Sequence, residues 1–415
     1  MADWLRPEAL LGPEGLQALE ALGPTDVLVG VCALHQARSA PQVVEAAVKG
    51  VSGSLAPRAS AILVVDAGFG GDTADAIRIW ARTQPSVPPV RALQVAGLPS
   101  RARAQQGALA AARHLEVPAL ALVDAGLVGL PGEAVEHLLR PLLDGEAEYV
   151  SPAFTHAPSE GTLTSNLLAP LARALYGRRL QQVVGGCAGL SGGSLRRLAS
   201  AEPWDGDLAE YGLETRLAIE ALTSEDHILE AHLGRKVMDP GLTPRDLATT
   251  LALTVGPFFG LMERYRSAWS ATQGSTPVPN IGGPATLLPE SGSVRTDRMV
   301  RAFKLGLKDL LPVWEQALPE ETLGRLYPLG LLAPEEFEFP PDLWARIVVD
   351  FAVAYHESRL PRDHLLRALT PLYLGRVAAF LREVHAVPPA RVPALLDVLA
   401  RAFEAETESL AVRWR

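Results

Sequence analysis

The chain has 415 residues, 48% of them hydrophobic and 20% charged, and a net charge of −9. This is globular composition, sufficient for two or three domains, and its acidic balance excludes nucleic acid and acidic membrane surfaces as main partners. Its two cysteines, Cys32 and Cys187, stand far apart in no metal-ligand spacing, which predicts a reduced, cytoplasmic setting.

The N-terminal run MADWLRPEALLGPEG carries charges and prolines without an apolar core, so it does not read as a signal peptide. Apolar residues at helical spacing predict a helix over 4–22. DVLVGVC (26–32) predicts a buried strand, PQVVEAAVKGV a helix, and ASAILVVDAG (59–68) a second strand ending in Asp66. A helix over 73–83, a strand over 90–95 and a helix over 101–115 follow. The segment LALVD (120–124) predicts a fourth strand ending in Asp124. This alternation predicts an α/β fold, a parallel sheet with helices on both faces. Such sheets bind ligands outside the carboxyl ends of their strands, the edge on which Asp66 and Asp124 both fall. One acid there serves equally well to cap a helix; two at one edge favour a site.

After residue 150 the pattern is mixed. GTLTSNLLAPLARALYG reads as a loop feeding a helix, and VVGGCAGLSGGSLRRL as a glycine-rich turn feeding another. EYGLETRLAIEAL (210–222) predicts a helix, HILEAHLG a strand, and 243–271 further helices. LALTVGPFFGLM, within that last stretch, is the run nearest to a membrane span and is too short for one. TQGSTPVPNIGGPATLLPESGS predicts a linker or surface loop. The rest is helical by period. The aromatics of DFAVAYHES and HLLRALTPLYLGRVAAFLREV fall on one helix face as packing residues, and His356 reads as structural. The expected organisation is an N-terminal helical extension (1–23), an α/β domain (24–240), a helical connection (241–271), a linker or loop (272–293) and a helical C-terminal region (294–415).

The segments GTLTSNLLAPLARALYGRRLQQVVGG, YGLETRLAIEAL and LWARIVVDFAVAYHESRLPRDHLLRALTPLYLGRVAAF resemble the bacterial glucosylglycerate synthases. More distantly they resemble the mannosylglycerate synthases and glucosyl-3-phosphoglycerate synthases. The resemblance runs from about Asp26 to the C-terminus. It implies a GT-A-type, Rossmann-like transferase domain with a helical C-terminal region used partly for homodimer contacts. It also implies retaining transfer of a hexose from a nucleotide sugar to glycerate or a similar small carboxylate acceptor, with Mg2+ or Mn2+.

The family's donor motifs are altered. Its polar stretch after the first strand is here Ala33-Leu34-His35-Gln36-Ala37-Arg38. Its Asp-Gly and Ser-Thr-Asp-Gly runs are here Asp66-Ala67-Gly68-Phe69-Gly70-Gly71-Asp72-Thr73. Asp66 is left as a donor contact, and Asp72 as either a base contact or a helix N-cap. The Gly-Lys-Gly turn is Leu98-Pro99-Ser100-Arg101-Ala102, where Arg101 or Arg103 restores the charge without the lysine geometry. The metal-binding Asp-x-Asp is Asp124-Ala125-Gly126, and Lys-x-His-Asp-Pro is Lys236-Val237-Met238-Asp239-Pro240. Hard cations take oxygen ligands and ignore a thioether, so the resemblance leaves Asp124 as the one metal ligand, and standard binding of the cation is not expected. That cation neutralises the leaving diphosphate, and losing ~3 kcal/mol of such help costs over a hundredfold in rate.

The acceptor pattern is kept. Gly161, Thr162, Thr164, Asn166, Tyr176, Gly177, Arg178, Gly185 and Gly186 match the relatives, whose hydroxyls, amide and arginine grip the small acid. Arg178 or Arg179 suits bidentate carboxylate recognition; alternatively Thr162, Thr164 and Asn166 merely cap the next helix. Glu214, in Tyr211-Gly212-Leu213-Glu214, replaces an aspartate near the acceptor and is the candidate catalytic acid, one methylene longer. Cys187 replaces an acid in the Gly185-Gly186 turn and reads as a small buried residue. Three functions stay open: hexose transfer, a catalytically silent relative acting as a small-anion binder or as scaffold or regulator of an active paralogue, and a new activity on phosphate esters.

Overall fold

The computed structural model describes residues 4–84, 88–201, 212–224, 226–240, 246–283, 285–289 and 295–414. Parts of the elements expected over 210–222, 243–271 and 272–293 lie outside the described residues. The chain divides into two compact units. The first takes described residues within 1–155, 184–244 and 278–286; the second takes those within 156–183, 245–277 and 287–415.

In the first unit, helix α1 (Pro7–Glu20) precedes β1 (Val27–Ala33), α2 (Ala40–Ser52), β2 (Ser60–Asp66), α3 (Asp72–Arg82), β3 (Val90–Gln94), α4 (Arg101–His114), β4 (Ala119–Asp124), α5 (Gly132–Leu143) and β5 (Tyr149–Thr155). In the second unit, α6 (Ala169–Tyr176) and the short β6 (Arg178–Arg179) follow. The chain then returns to the first unit for β7 (Cys187–Ser191), α7 (Gly192–Ser200), α8 (Leu213–Thr223) and β8 (Ile228–Arg235). Finally β9 (Thr276–Pro277) belongs to the second unit and β10 (Asn280–Ile281) to the first.

The central strands β1, β2 and β4 form because each carries an apolar run buried on both faces, as a parallel sheet under helices requires. Fully burying each Val or Leu contributes about 1.5–3 kcal/mol. The strand order is β10-β8-β5-β7-β4-β1-β2-β3. β3, β2, β1 and β4 are parallel; β7 runs antiparallel between β4 and β5. Register aligns Ala33 with Asp66 and Cys32 with Asp124, so both acids end their strands at one edge. Helix α4, rich in alanine, lies close on β1: a Cβ on Gly30 would stand 2.8 Å from that of Ala108.

The structure differs from the expectation at four places. The helix expected over 4–22 is broken at Gly12, whose φ of 65° leaves the helical region before Pro13. The segment read as a glycine-rich turn contains strand β7. Its CAGLS sequence lacks β-branched residues because it runs tightly beneath α5, where a Cβ on Gly189 would fall 2.4 Å from the Leu138 carbonyl oxygen. Asp72 does not cap α3; Gly71 (φ 75°) holds the cap position. Within 272–293, where a linker or loop was expected, β9 pairs with β6 and β10 extends the main sheet beside β8.

The second unit is helical, including Leu247–Arg264, Thr296–Asp309, Glu320–Leu331, Pro341–His356, Thr370–His385 and Val392–Ala405. Trp269, Trp314, Trp344 and Trp414 are buried in it. The fully buried Asp350 accepts from Thr322 Oγ1 at 2.8 Å and pairs with Arg413 at 2.7 Å, pinning the C-terminal helix Thr407–Arg413. His356 stacks on Trp414 with ring centroids 4.4 Å apart. The chain is thus α/β, with a Rossmann-like sheet and a helical C-terminal region, as expected. No helix among the described residues is long and apolar enough to cross a membrane.

Candidate functional site

The strand-end acids of the first unit are each held by a separate set of donors. Asp124 is 3% exposed. Its Oδ1 accepts from the Gly126 N–H at 2.7 Å and from Gln36 Nε2 at 3.1 Å. Its Oδ2 lies 2.7 Å from Arg101 Nε. Gln36 is itself locked, its Oε1 accepting from the Leu34 N–H at 3.0 Å and its N–H reaching Thr73 Oγ1 at 3.2 Å. Thr73 also donates to Asp66, whose Oδ1 accepts from the Gly68 N–H at 2.9 Å. Burial pushes the Asp66 carboxyl above the usual carboxylate range, against the pull of those hydrogen bonds and of His35.

Arg101 opens α4. Ser100 caps that helix by accepting from the Arg103 N–H, and the first turn holds no acid. Cations here oppose the helix dipole, so two arginines in this turn are a local cost that Asp124 offsets. The sequence offers Arg101 or Arg103 for the charge of the lost lysine, with Arg101 as the expected donor contact, and the geometry distinguishes the two. Arg103 donates to the Ala96 carbonyl at 2.7 Å and to Gln106 at 3.0 Å, and so serves the preceding loop. Gly97 permits this: its φ is 110°, and a Cβ there would meet Arg103 Nε at 2.9 Å. Arg101 points its Nε at Asp124, with its side chain 47% exposed. Phe69 and Leu98, in the loops after β2 and β3, are each 72% exposed.

Glu214 lies in the first turn of α8 and accepts with one oxygen from the N–H groups of Gly185 and Gly186, both at 2.5 Å. Burial raises its pKa, opposed by the Gly186 N–H, Lys236, Arg101 and the Gly185 N–H. Cys187 and Cys32 are buried, which pushes both thiols far up and keeps them protonated; nearby Glu214 adds to this for Cys187, and Asp124 for Cys32. The Lys236–Pro240 segment lies against the turn after β4: Met238 bridges Leu127, and the Asp239 N–H donates to the Gly126 carbonyl at 2.8 Å. Tyr211 lies outside the described residues.

These residues do not fit a hard divalent cation. Asp124 Oδ1 already accepts from two N–H donors, and Oδ2, which has no hydrogen-bond partner among the described residues, lies 2.7 Å from the Arg101 guanidinium, a cation that would repel a metal. Among the described residues no group of three His, Cys, Asp or Glu side chains is placed to hold an ion, and the Met238 thioether is no ligand for Mg2+ or Mn2+.

The other matched residues belong to the second unit. Thr162 Oγ1 lies 2.6 Å from the Tyr373 hydroxyl. Thr164 begins a π-helical turn, Thr164–Leu168, in which Asn166 is fully buried. The Asn166 side-chain amide donates to Ser165 Oγ at 3.1 Å, and the Asn166 backbone carbonyl accepts from Trp344 Nε1 at 2.7 Å. These side chains do not cap the following helix, whose N-terminal turn has no side-chain cap. Arg178 and Arg179 are both exposed, and Arg179 donates to Ser275 Oγ at 3.0 Å. Gln36, Thr73 and Lys236 were not singled out from sequence. The polar run after β1 was the one signal available for Gln36.

No protein-family model and no curated protein matches this chain. Among solved structures it is similar to glucosyl-3-phosphoglycerate synthase from Mycobacterium tuberculosis. For the complex with Mn2+, UDP and phosphoglyceric acid the identity is 22%, over 60% of this chain and 81% of that one, with a TM-score of 0.46. The complex of that enzyme with Mg2+ and UDP gives 21%, 60%, 83% and 0.46. A further structure of the enzyme gives 20%, 60%, 85% and 0.45.

Proposed function

We propose that the chain is a nucleotide-sugar-binding protein of the hexosyltransferase type, with the donor held at the carboxyl edge of the first unit's sheet. One observation carries this reading. The chain runs from β1 outward through β2 to β3 and then returns by α4 to β4 on the other side of β1, which makes the gap between β1 and β4 the topological switch point. Ligands of open α/β sheets sit at that point, and Gln36, Asp124 and Arg101 meet there. In this reading Asp66, Arg101 and Asp124 serve the donor, and Phe69 offers an aromatic face to its base.

The acceptor is a small carboxylate such as glycerate. Arg178 is the side chain suited to it, with Thr162, Thr164 and Asn166 as the further acceptor residues of the second unit, while Gly185 and Gly186 are the residues of the acceptor pattern that belong to the first. Glu214 holds the Gly185–Gly186 turn. The resemblance adds a homodimer, which light scattering of the purified chain tests.

A second reading, a catalytically silent relative that binds a small anion or scaffolds an active paralogue, is favoured by the way Asp124 is engaged. A carboxylate so occupied cannot recruit the cation that would neutralise a leaving diphosphate. Calorimetric titration with UDP, GDP and their glucose and mannose forms, followed by transfer assays with glycerate and 3-phosphoglycerate, separates the readings. Micromolar binding with transfer supports the transferase. Binding without transfer selects the silent relative. Absence of binding to every nucleotide refutes both nucleotide-based readings.

A further inference from the structure

We propose that Arg101, held by Asp124, is a resident cation for a diphosphate group, so that ligand binding at this edge is independent of divalent metal. This rests on the reading that the edge takes a nucleotide diphosphate. The guanidinium has five N–H donors in a planar fork. Among the described residues its Nε is the atom engaged, by Asp124 at 2.7 Å, which leaves both Nη atoms for an incoming anion. Fork-shaped pairing with phosphate oxygens is what the Nη pair does best.

Its placement is built. Asp124 is almost fully buried and is fixed by the Gly126 N–H and by Gln36, which is fixed in turn by the Leu34 N–H and Thr73. Arg103, the other arginine of the turn, is engaged by the Ala96 carbonyl and Gln106. Asp124 therefore acts as a positioning residue for a guanidinium and not as a metal ligand.

The test uses the full chain with inorganic pyrophosphate and UDP as separate probes, each titrated calorimetrically in EDTA and in excess Mn2+, alongside Mn2+ binding followed by electron paramagnetic resonance. Wild type is expected to bind pyrophosphate equally with and without metal and to leave Mn2+ free. Arg101→Ala should weaken pyrophosphate by about tenfold or more, and Arg101→Lys, which keeps the charge but not the fork, by an intermediate factor. Circular dichroism confirms that each variant is folded, and Asp124→Asn gives a second, independent loosening of Arg101. Pyrophosphate binding that needs Mn2+, specific Mn2+ uptake by wild type, or equal pyrophosphate affinity in Arg101→Ala would overturn the proposal, as would no pyrophosphate binding under either condition. If pyrophosphate behaves as expected but UDP and UDP-glucose bind no tighter, the resident cation stands and the nucleotide reading fails.

Discussion

The Arg101–Asp124 pair is open to a double-mutant cycle of Arg101→Gln, Asp124→Asn and both together, with stability read from urea unfolding. Two unit charges about 4 Å apart attract by about 4 kcal/mol at an effective dielectric of about 20. Asp124 is 3% exposed but the Arg101 side chain is 47% exposed, so water screens much of that attraction. The expected coupling lies between exposed pairs, at about 0.2–1 kcal/mol, and broken buried pairs, at about 3–5 kcal/mol. We take about 1–2 kcal/mol. Each single variant should cost about 2 kcal/mol, because each leaves a charge-assisted partner unmatched. Asp124→Asn keeps the volume and an acceptor for the Gly126 N–H, which confines the loss to the charge. The double variant should then cost less than the sum of the singles, with unchanged urea slopes. Additivity to within about 0.5 kcal/mol would mean that the guanidinium does not hold the carboxylate. Asp124 would then be free for a cation.

Three further outcomes follow from local geometry. Gly97→Ala places a Cβ 2.9 Å from Arg103 Nε on a backbone with φ 110°; it should cost more than about 1 kcal/mol in urea unfolding, and a neutral result would show that Arg103 does not clamp this loop. The Glu214 carboxyl, raised by burial from an ordinary value of 4.5, keeps its proton in the folded chain where the unfolded chain has lost it. Its contribution to stability is therefore full below that value and is lost as pH rises through the folded one; Glu214→Gln should flatten this fall, and identical pH profiles would refute the assignment. Arg413→Met leaves the fully buried Asp350 with the Thr322 hydroxyl and the charge of Arg346 and should cost about 3 kcal/mol, much of it regained in Arg413→Met with Asp350→Leu; failure of that rescue would show that the burden is packing and not charge.

The sheet was legible in the sequence where burial acts on both faces of a strand. VLVGVCA, AILVV and ALALV are apolar runs, and the last two are followed by the acids Asp66 and Asp124 where their strands end. Strand β7 was not legible, because CAGLS is built from small residues that fit beneath α5 and carry little strand propensity. The edge was found from Asp66 and Asp124, but the partners of Asp124 were not. Gln36 reaches it from the loop after β1 and Arg101 from the first turn of α4, and no spacing rule links residues so far apart. One signal was present: two arginines in the first turn of α4, with no acid, contradict the helix dipole. A broken local rule of this kind marks a residue kept for something other than its helix. The burial of Asn166 was likewise hidden, since its partner Trp344 lies far along the chain.

Replacing a metal by Arg101 changes what this edge can do. A divalent cation on one carboxylate leaves a net positive charge facing a diphosphate, whereas a guanidinium on the same carboxylate leaves none. The Arg101 fork still offers directed hydrogen bonds, which act on a bound diphosphate and on a departing one alike. Interactions of that kind lower the dissociation constant without lowering the barrier. Affinity and turnover should therefore separate at this site: diphosphate binding that ignores EDTA, with transfer slower than in metal-dependent enzymes by more than about a hundredfold if ~3 kcal/mol of leaving-group stabilisation is absent. Single-turnover measurement with UDP-glucose and glycerate reads the two quantities apart. Rapid transfer in EDTA would show that Arg101, with Lys236 nearby, supplies the missing charge in the transition state, and the silent reading would be refuted.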